Sequence, residues 1–285
     1  MKPAKKPAHG RDDKSMDLIG REMDVPTKIK ILFEDNHLIV AIKPAGILSQ
    51  ADATGKPDML TLLKQDIKVR YGKPGQVFLG LVHRLDQPVS GVMVFARTSK
   101  AAARLSAQIR EHRVAKYYLA VVNGCPAHPS GSLQDRLSKN PATGQVSLAA
   151  GDLGQAAWLD YQVVESHTGK DHPGPADRCP DNLMTLLAIR LGSGRGHQIR
   201  VQLASRGWPI VGDRRYGHKP SKGEPSDPAL FACLFSLDHP VSGERLHFYA
   251  DPPDQPPWSW FHPVQAGALA AFFEDAAVRQ PDEKA

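Results

Sequence analysis

Long hydrophobic runs are missing from this chain of 285 residues. No stretch approaches the ~18–20 apolar residues that a membrane helix needs. The basic N-terminal segment has no apolar run behind it, so no secretory signal is read there. Cysteine is nearly absent. Cys125, Cys179 and Cys233 stand far apart with no C-x-x-C pair, which argues against a disulfide framework and a structural zinc site and fits a reducing cytoplasm. Phosphate-cradling glycine loops are also lacking. There is no G-x-x-x-x-G-K-[ST], and no G-x-G-x-x-G between a strand and a helix. A G-x-S-x-G nucleophile turn is absent too.

What is present is an ordinary globular composition, 41% hydrophobic and 23% charged, with chain enough for one large domain or two small ones. The formal charge of +6 is unevenly placed. Residues 84–116 hold seven Lys/Arg against Asp86 and Glu111, and residues 190–222 hold eight against Asp213. These two segments carry +12 and the rest of the chain −6. Basic residues gathered in this way are the footprint of a polyanionic partner.

Hydrophobic patterning yields short elements. Residues 29–33 and 38–42 read as a hairpin across the turn signal Glu34-Asp35-Asn36, and residues 59–69 as a short helix. GVMVFA at 91–96 is a continuous apolar run, as in a buried strand. Thr98 or Ser99 caps a following helix over residues 100–112, with an alanine at 101 or 102, Leu105 and Ile109 on one face. Residues 117–122, 156–164 and 183–191 are strand candidates, and residues 266–278 a C-terminal helix. Residues 199–203 fit a strand by alternation, or a helix ended by Gly207. The mixture predicts an α+β fold with a largely antiparallel sheet.

Three segments stand out chemically. His83-Arg84-Leu85-Asp86 precedes the buried strand, where an aspartate needs a cation or backbone donors to stay ionised, or else caps its own turn. Lys116-Tyr117-Tyr118 opens a strand, so one tyrosine enters the core while the other faces a cleft. Gly192 to Arg200 combines three glycines with Arg195, His197 and Arg200.

Together these segments resemble the RluA-type RNA pseudouridine synthases. His83-Arg84-Leu85-Asp86 with Ser90-Gly91 is similar to that family's H-R-L-D-x-x-x-S-G motif, and Lys116-x-Tyr118 to its K-x-Y motif. Gly194-Arg195-x-His197-Gln198-Ile199-Arg200 is similar to its G-R-x-H-Q-[IL]-R motif. Residues 43–46, residues 209–217 and residues 239–244 match outer landmarks in the same order.

The resemblance implies the pseudouridine synthase fold, a mixed, largely antiparallel sheet flanked by helices and loops with a catalytic cleft across it. A single catalytic domain over residues 29–278 is expected, between polar tails at 1–28 and 279–285. The residues before Ile29 are too few for an S4-like RNA-binding module, so the larger rRNA-specific members that carry one are not expected to be the nearest relatives. The implied reaction turns a flipped uridine into its C-glycoside without metal or cofactor. Asp86 would be the essential carboxylate, as nucleophile or base. Arg200 would face it. Tyr118 would stack on the uracil and help remove the C5 proton. Arg84 would fill the space of the flipped base. Arg195 and His197 would hold phosphate or shape their loop, and Arg104 and Arg110 would track the RNA backbone. The partner would be structured tRNA or rRNA and the protein a cytoplasmic monomer. A non-catalytic RNA-binding module of the same fold is the alternative.

Overall fold

A computed structural model of the chain describes residues 29–151, 153–168, 183–217, 227–264 and 269. The expected tails lie outside these residues. So do Cys179, most of the expected C-terminal helix, and the larger part of the loops at 165–182 and 219–228.

Among the described residues one eleven-stranded sheet runs through the molecule. It opens with the expected hairpin, β1 (Ile31–Glu34) and β2 (Leu38–Lys43), paired antiparallel. Asp35 makes the turn, its Oδ1 accepting the amides of His37 and Leu38. Helix α1 (Met59–Arg70) follows, capped by Asp58, and buries Met59, Leu63 and Ile67 at helical spacing. The short β3 (Gly80–Leu81) and the buried β4 (Ser90–Ala96) come next.

Helix α2 (Ser99–Arg110) starts at Thr98, whose hydroxyl accepts the Ala101 amide at 3.1 Å. Its buried face is Ala101, Leu105 and Gln108. Ile109, expected in the core, lies at the cleft described below instead. Gln108 takes the inner place because its amide group bonds both the carbonyl and the N–H of Asp238.

The remaining strands are β5 (Ala115–Asn123), β6 (Ser130–Lys139), β7 (Val146–Leu148), β8 (Gln155–Thr168), β9 (Leu183–Leu191), β10 (Leu230–Asp238) and β11 (Arg245–Tyr249). The spatial order is β1-β2-β4-β10-β5-β9-β8-β6-β7, with β11 beside β10 and β3 beside β4. All these pairings are antiparallel except β4 with β10, which meet in parallel at Ser90–Phe231 and Gly91–Ala232. That junction requires Gly91. Its φ is +128°, and a Cβ there would stand 2.3 Å from the Ala232 carbonyl oxygen.

Residues 198–204 form helix α3 (Gln198–Ala204), closed by Gly207 at φ +80°. The strand alternative for this segment is therefore not realised. The helix lies against the β6–β8 end of the sheet, where Val201 joins Leu137, Val146 and Ala157 in a small apolar cluster.

Candidate active site

A cleft of about 1020 Å³ opens on the sheet between the loop before β4, the end of α2, the start of β5, the β6–β7 hairpin and the turn into α3. That volume suits a ligand of nucleotide size. Asp86, Tyr118 and Arg200 all line it.

Asp86 sits on a loop that the preceding hairpin immobilises. Lys43 is fully buried, and its Nζ donates to the carbonyls of Pro44, Gln87 and Val89, each at 2.8 Å. Burial pulls Lys43 down to about 7, against the pull of Asp86 and Asp227. Three carbonyl acceptors match the three hydrogens of an ammonium, so the bonding favours the charged form. The Gly46 amide donates to the Gln87 carbonyl, and the Gln87 side chain returns a bond to the Gly46 carbonyl. Ser49 Oγ bonds both the carbonyl and the amide of Leu85. The residues on either side of Asp86 are thus held while its carboxylate stays about a quarter exposed.

Arg200 sits on the first turn of α3 with its side chain almost wholly buried. Its Nη1 meets Asp86 Oδ2 at 3.2 Å. The opposite edge of the guanidinium is clamped by Asp213, with Nε and Nη2 each 2.7 Å from a carboxylate oxygen. Asp213 Oδ1 also accepts the amides of Arg215 and Tyr216. A buried charge needs such a partner, and deleting one member of a buried pair costs about 3–5 kcal/mol. Burial opposes the charge on Arg200, but Asp213 and then Asp86 raise its pKa overall. Asp86 Oδ1 accepts no hydrogen bond from the described residues.

Tyr118 is buried, and burial together with Asp86 pushes its phenol well above the ordinary tyrosine value. Its hydroxyl therefore stays protonated at neutral pH. Tyr118 joins the core cluster while lining the cleft, and its neighbour Tyr117 packs half-buried against that core. Lys116 lines the same cleft, its pKa lowered by burial. His83 accepts the Val94 amide through Nε2 at 2.9 Å and stacks on Phe235. Burial, and secondarily Lys116, lowers its pKa to about 3, so the ring is neutral.

The basic segments meet at this cleft only in part. Arg84, Arg110 and Lys116 come from the first, Arg195, Arg200 and Arg215 from the second, and Lys139 from neither. These seven face two acidic residues of the lining, Asp52 and Asp86. Other charges of the two segments are taken up in ion pairs. Arg97 pairs with Glu34, Arg113 with Glu111 and Asp238, Arg190 with Asp160, and Arg206 with Asp135. Arg104, another of the expected RNA contacts, is placed differently from Arg110. It lies outside the cleft lining, with its guanidinium bonded to the Pro240 carbonyl on the β10–β11 turn. Arg195 reaches the rim while bonding the Ala156 carbonyl.

Lys43, Ser49, Asp213 and Tyr216 were not singled out in the sequence as site residues. Lys43, Asp213 and Tyr216 do lie within its outer landmarks. Their partners lie well away in the sequence, so only the fold reveals what they hold. No group of His, Cys, Asp or Glu able to hold a metal ion occurs among the described residues.

A strongly basic cleft built around one arginine-held carboxylate and one buried tyrosine is a candidate site for chemistry on a polyanion. The chain matches the RNA pseudouridylate synthase family over residues 37–205 and belongs to it. It is 30% identical over 263 residues to the ribosomal large subunit pseudouridine synthase D of Zymomonas mobilis, covering 88% of this chain and 74% of that one. It is 35% identical over 246 residues to the synthase of the same description from Xanthomonas campestris, covering 81% and 67%. These relatives are longer and are named for the large ribosomal subunit, which corrects the expectation that larger rRNA-specific members are not near relatives.

The fold agrees with that of two human proteins. RNA pseudouridylate synthase domain containing 1 superposes with a TM-score of 0.64 at 20% identity, over 90% of this chain and 97% of the other. Domain containing 4 gives 0.62 at 24%, over 79% and 88%. The chain is an RNA pseudouridine synthase, an isomerase of uridine in RNA, and its α+β, largely antiparallel sheet is the one the sequence motifs implied.

Proposed function

We propose that the chain isomerises uridine in large-subunit ribosomal RNA, with Asp86 as the carboxylate that initiates cleavage of the N1–C1′ bond. The observation that carries this reading is the asymmetry of Asp86. Arg200 holds Oδ2, while Oδ1 takes no bond from the described residues and is left for the substrate. The relatives' names supply the RNA class.

The target base must leave its stack to reach Asp86, at a cost on the order of a few kcal/mol. The exposed Arg84 on the same loop is available to occupy the vacated space. Tyr118 offers its ring as a platform for the uracil. Its hydroxyl is neutral, so it serves the C5 proton as a relay and not as a preformed phenolate. Arg110, Arg195, Arg215 and Lys139 would engage phosphates and set affinity without reading sequence. No helix among the described residues is long and apolar enough to cross a membrane. The protein works on this reading as a cytoplasmic monomer, with residues 29–278 as one catalytic domain.

Ribosomal RNA labelled with tritium at uridine C5, from cells lacking the gene, tests the reaction. Tritium should appear in water with one new pseudouridine mapped per target site and no free uracil. Free uracil would mean hydrolysis, and neither product would leave the protein a binder of this RNA.

A further inference from the structure

His197 lines the cleft and Tyr216 bonds it from beside, a geometry that neither phosphate binding nor loop shape explains. His197 occupies the turn before α3 with φ +55°, a left-handed conformation uncommon outside glycine. That backbone turns the ring so that Nε2 faces Asp86 Oδ2 at 3.8 Å, the same oxygen that Arg200 holds. Nδ1 lies 2.7 Å from the Tyr216 hydroxyl. The hydroxyl in turn accepts the Val146 amide at 3.0 Å.

Hydrogen-bond geometry favours one tautomer. A phenol has one hydrogen, and Val146 already donates to its oxygen. His197 Nδ1 is the acceptor within reach of the hydroxyl hydrogen, and in that arrangement the imidazole hydrogen sits on Nε2, toward Asp86. Burial raises the pKa of Tyr216, so the phenol keeps its hydrogen. Burial, Arg200 and Arg215 disfavour a second proton on His197, and they outweigh Asp86 and Asp213, which favour it. Asp213 ties the arrangement together by anchoring both Arg200 and the backbone of Tyr216.

We propose that His197 is a positioning residue for Asp86: a neutral imidazole, its tautomer set by Tyr216, that offers Nε2–H to Oδ2 beside Arg200 and so keeps Oδ1 turned toward the ribose. The 3.8 Å separation closes to a hydrogen bond as substrate fills the cleft, since contacts of this kind tighten in the reacting complex. The proposal rests on Asp86 being the reacting carboxylate.

The test compares His197→Asn with His197→Gln in the full-length chain, by single-turnover tritium release from C5-labelled ribosomal RNA. Asparagine tolerates the left-handed backbone and can still meet Tyr216, but its amide stops short of Asp86. Glutamine carries an N–H out to the position of Nε2. The Asn variant should lose about 10–100-fold in rate, as supporting residues around catalytic groups do, with RNA affinity within about twofold of wild type. The Gln variant should recover most of that loss. Independently of either variant, ¹⁵N NMR of wild type should show the Nε2–H tautomer at pH 7, and Tyr216→Phe should lose it.

Full activity in the Asn variant, equal loss in Asn and Gln, an affinity loss at unchanged rate, or an Nδ1–H tautomer in wild type would each overturn the proposal. Asp86→Asn run alongside separates the two levels. Turnover by that variant overturns the reading of Asp86 itself. A dead Asp86→Asn beside a fully active His197→Asn overturns only the role of His197.

Discussion

Asp86 is held in place by what surrounds it. Arg200 reaches it from a helix more than a hundred residues along the chain, and Asp213 fixes Arg200 from behind. The motif residues Asp86, Tyr118 and Arg200 were legible in the sequence because each sits in a dense local pattern. Asp213 was legible only as part of a landmark, since nothing local shows that its carboxylate serves a guanidinium thirteen residues away. Arg104 and Arg110 looked alike in sequence, yet one bonds a carbonyl and the other lines the cleft. A side chain's direction on a short helix is set by what packs beside it.

His83 supplies a prediction at this scale. Its folded pKa, about 3, lies below the unfolded value of 6.5. Between those values the unfolded chain binds the proton and the folded chain does not. Stability from this group is therefore complete above pH 6.5 and is lost as pH falls, by up to about 1.4 kcal/mol per pH unit. Urea unfolding of wild type and His83→Gln between pH 7 and 5 should show the wild-type advantage shrinking with acid. A constant difference would mean that His83 protonates equally in both states.

At the level of elements, the loop carrying Asp86 is an appendage of the β1–β2 hairpin. Lys43 closes it with three bonds to carbonyls. Lys43→Met keeps the apolar stem and strands those acceptors, so unfolding free energy should fall by on the order of 3 kcal/mol in a denaturant titration. A loss below about 1 kcal/mol would show that water replaces the ammonium. Gly91→Ala, pressed against the Ala232 backbone at positive φ, should separate β4 from β10 and lower the melting temperature by several degrees.

Amphipathic or punctuated elements such as α2 and β4 were readable. β6 was not, because its inward positions alternate along the strand but carry Gly131 and Asp135 between Leu133 and Leu137, so the apolar residues alone show no strand alternation. β10 is a continuous apolar run buried along nearly its whole length, like β4, so the same pattern was present there without any alternation to mark it. For α3 the pattern fitted both helix and strand, and packing on Leu137, Val146 and Ala157 decided it.

Across the described residues the charges of the two basic segments are used in different ways. Some are taken up in ion pairs such as Arg97–Glu34 and Arg206–Asp135, and others line the cleft. Composition located the basic segments but could not sort them, because pairing depends on which strand brings an acid alongside. Affinity for RNA across a salt series should therefore separate two arginines of one helix. Arg110→Ala should reduce the slope of log K against log salt by about 1, and Arg104→Ala should leave it unchanged. Equal effects would place the RNA over the outer face of α2 as well.

The cleft exists because the sheet brings distant motifs to one place, and the claim that matters most is that Asp86 does the chemistry there. The direct measurement is pseudouridine formed by Asp86→Asn on ribosomal RNA from cells lacking the gene, with RNA affinity measured on the same preparation. The account predicts turnover below about a hundredth of wild type with affinity within about twofold, since the carboxylate acts on a covalent bond while the arginines hold the RNA. Turnover above that level with intact binding would contradict it.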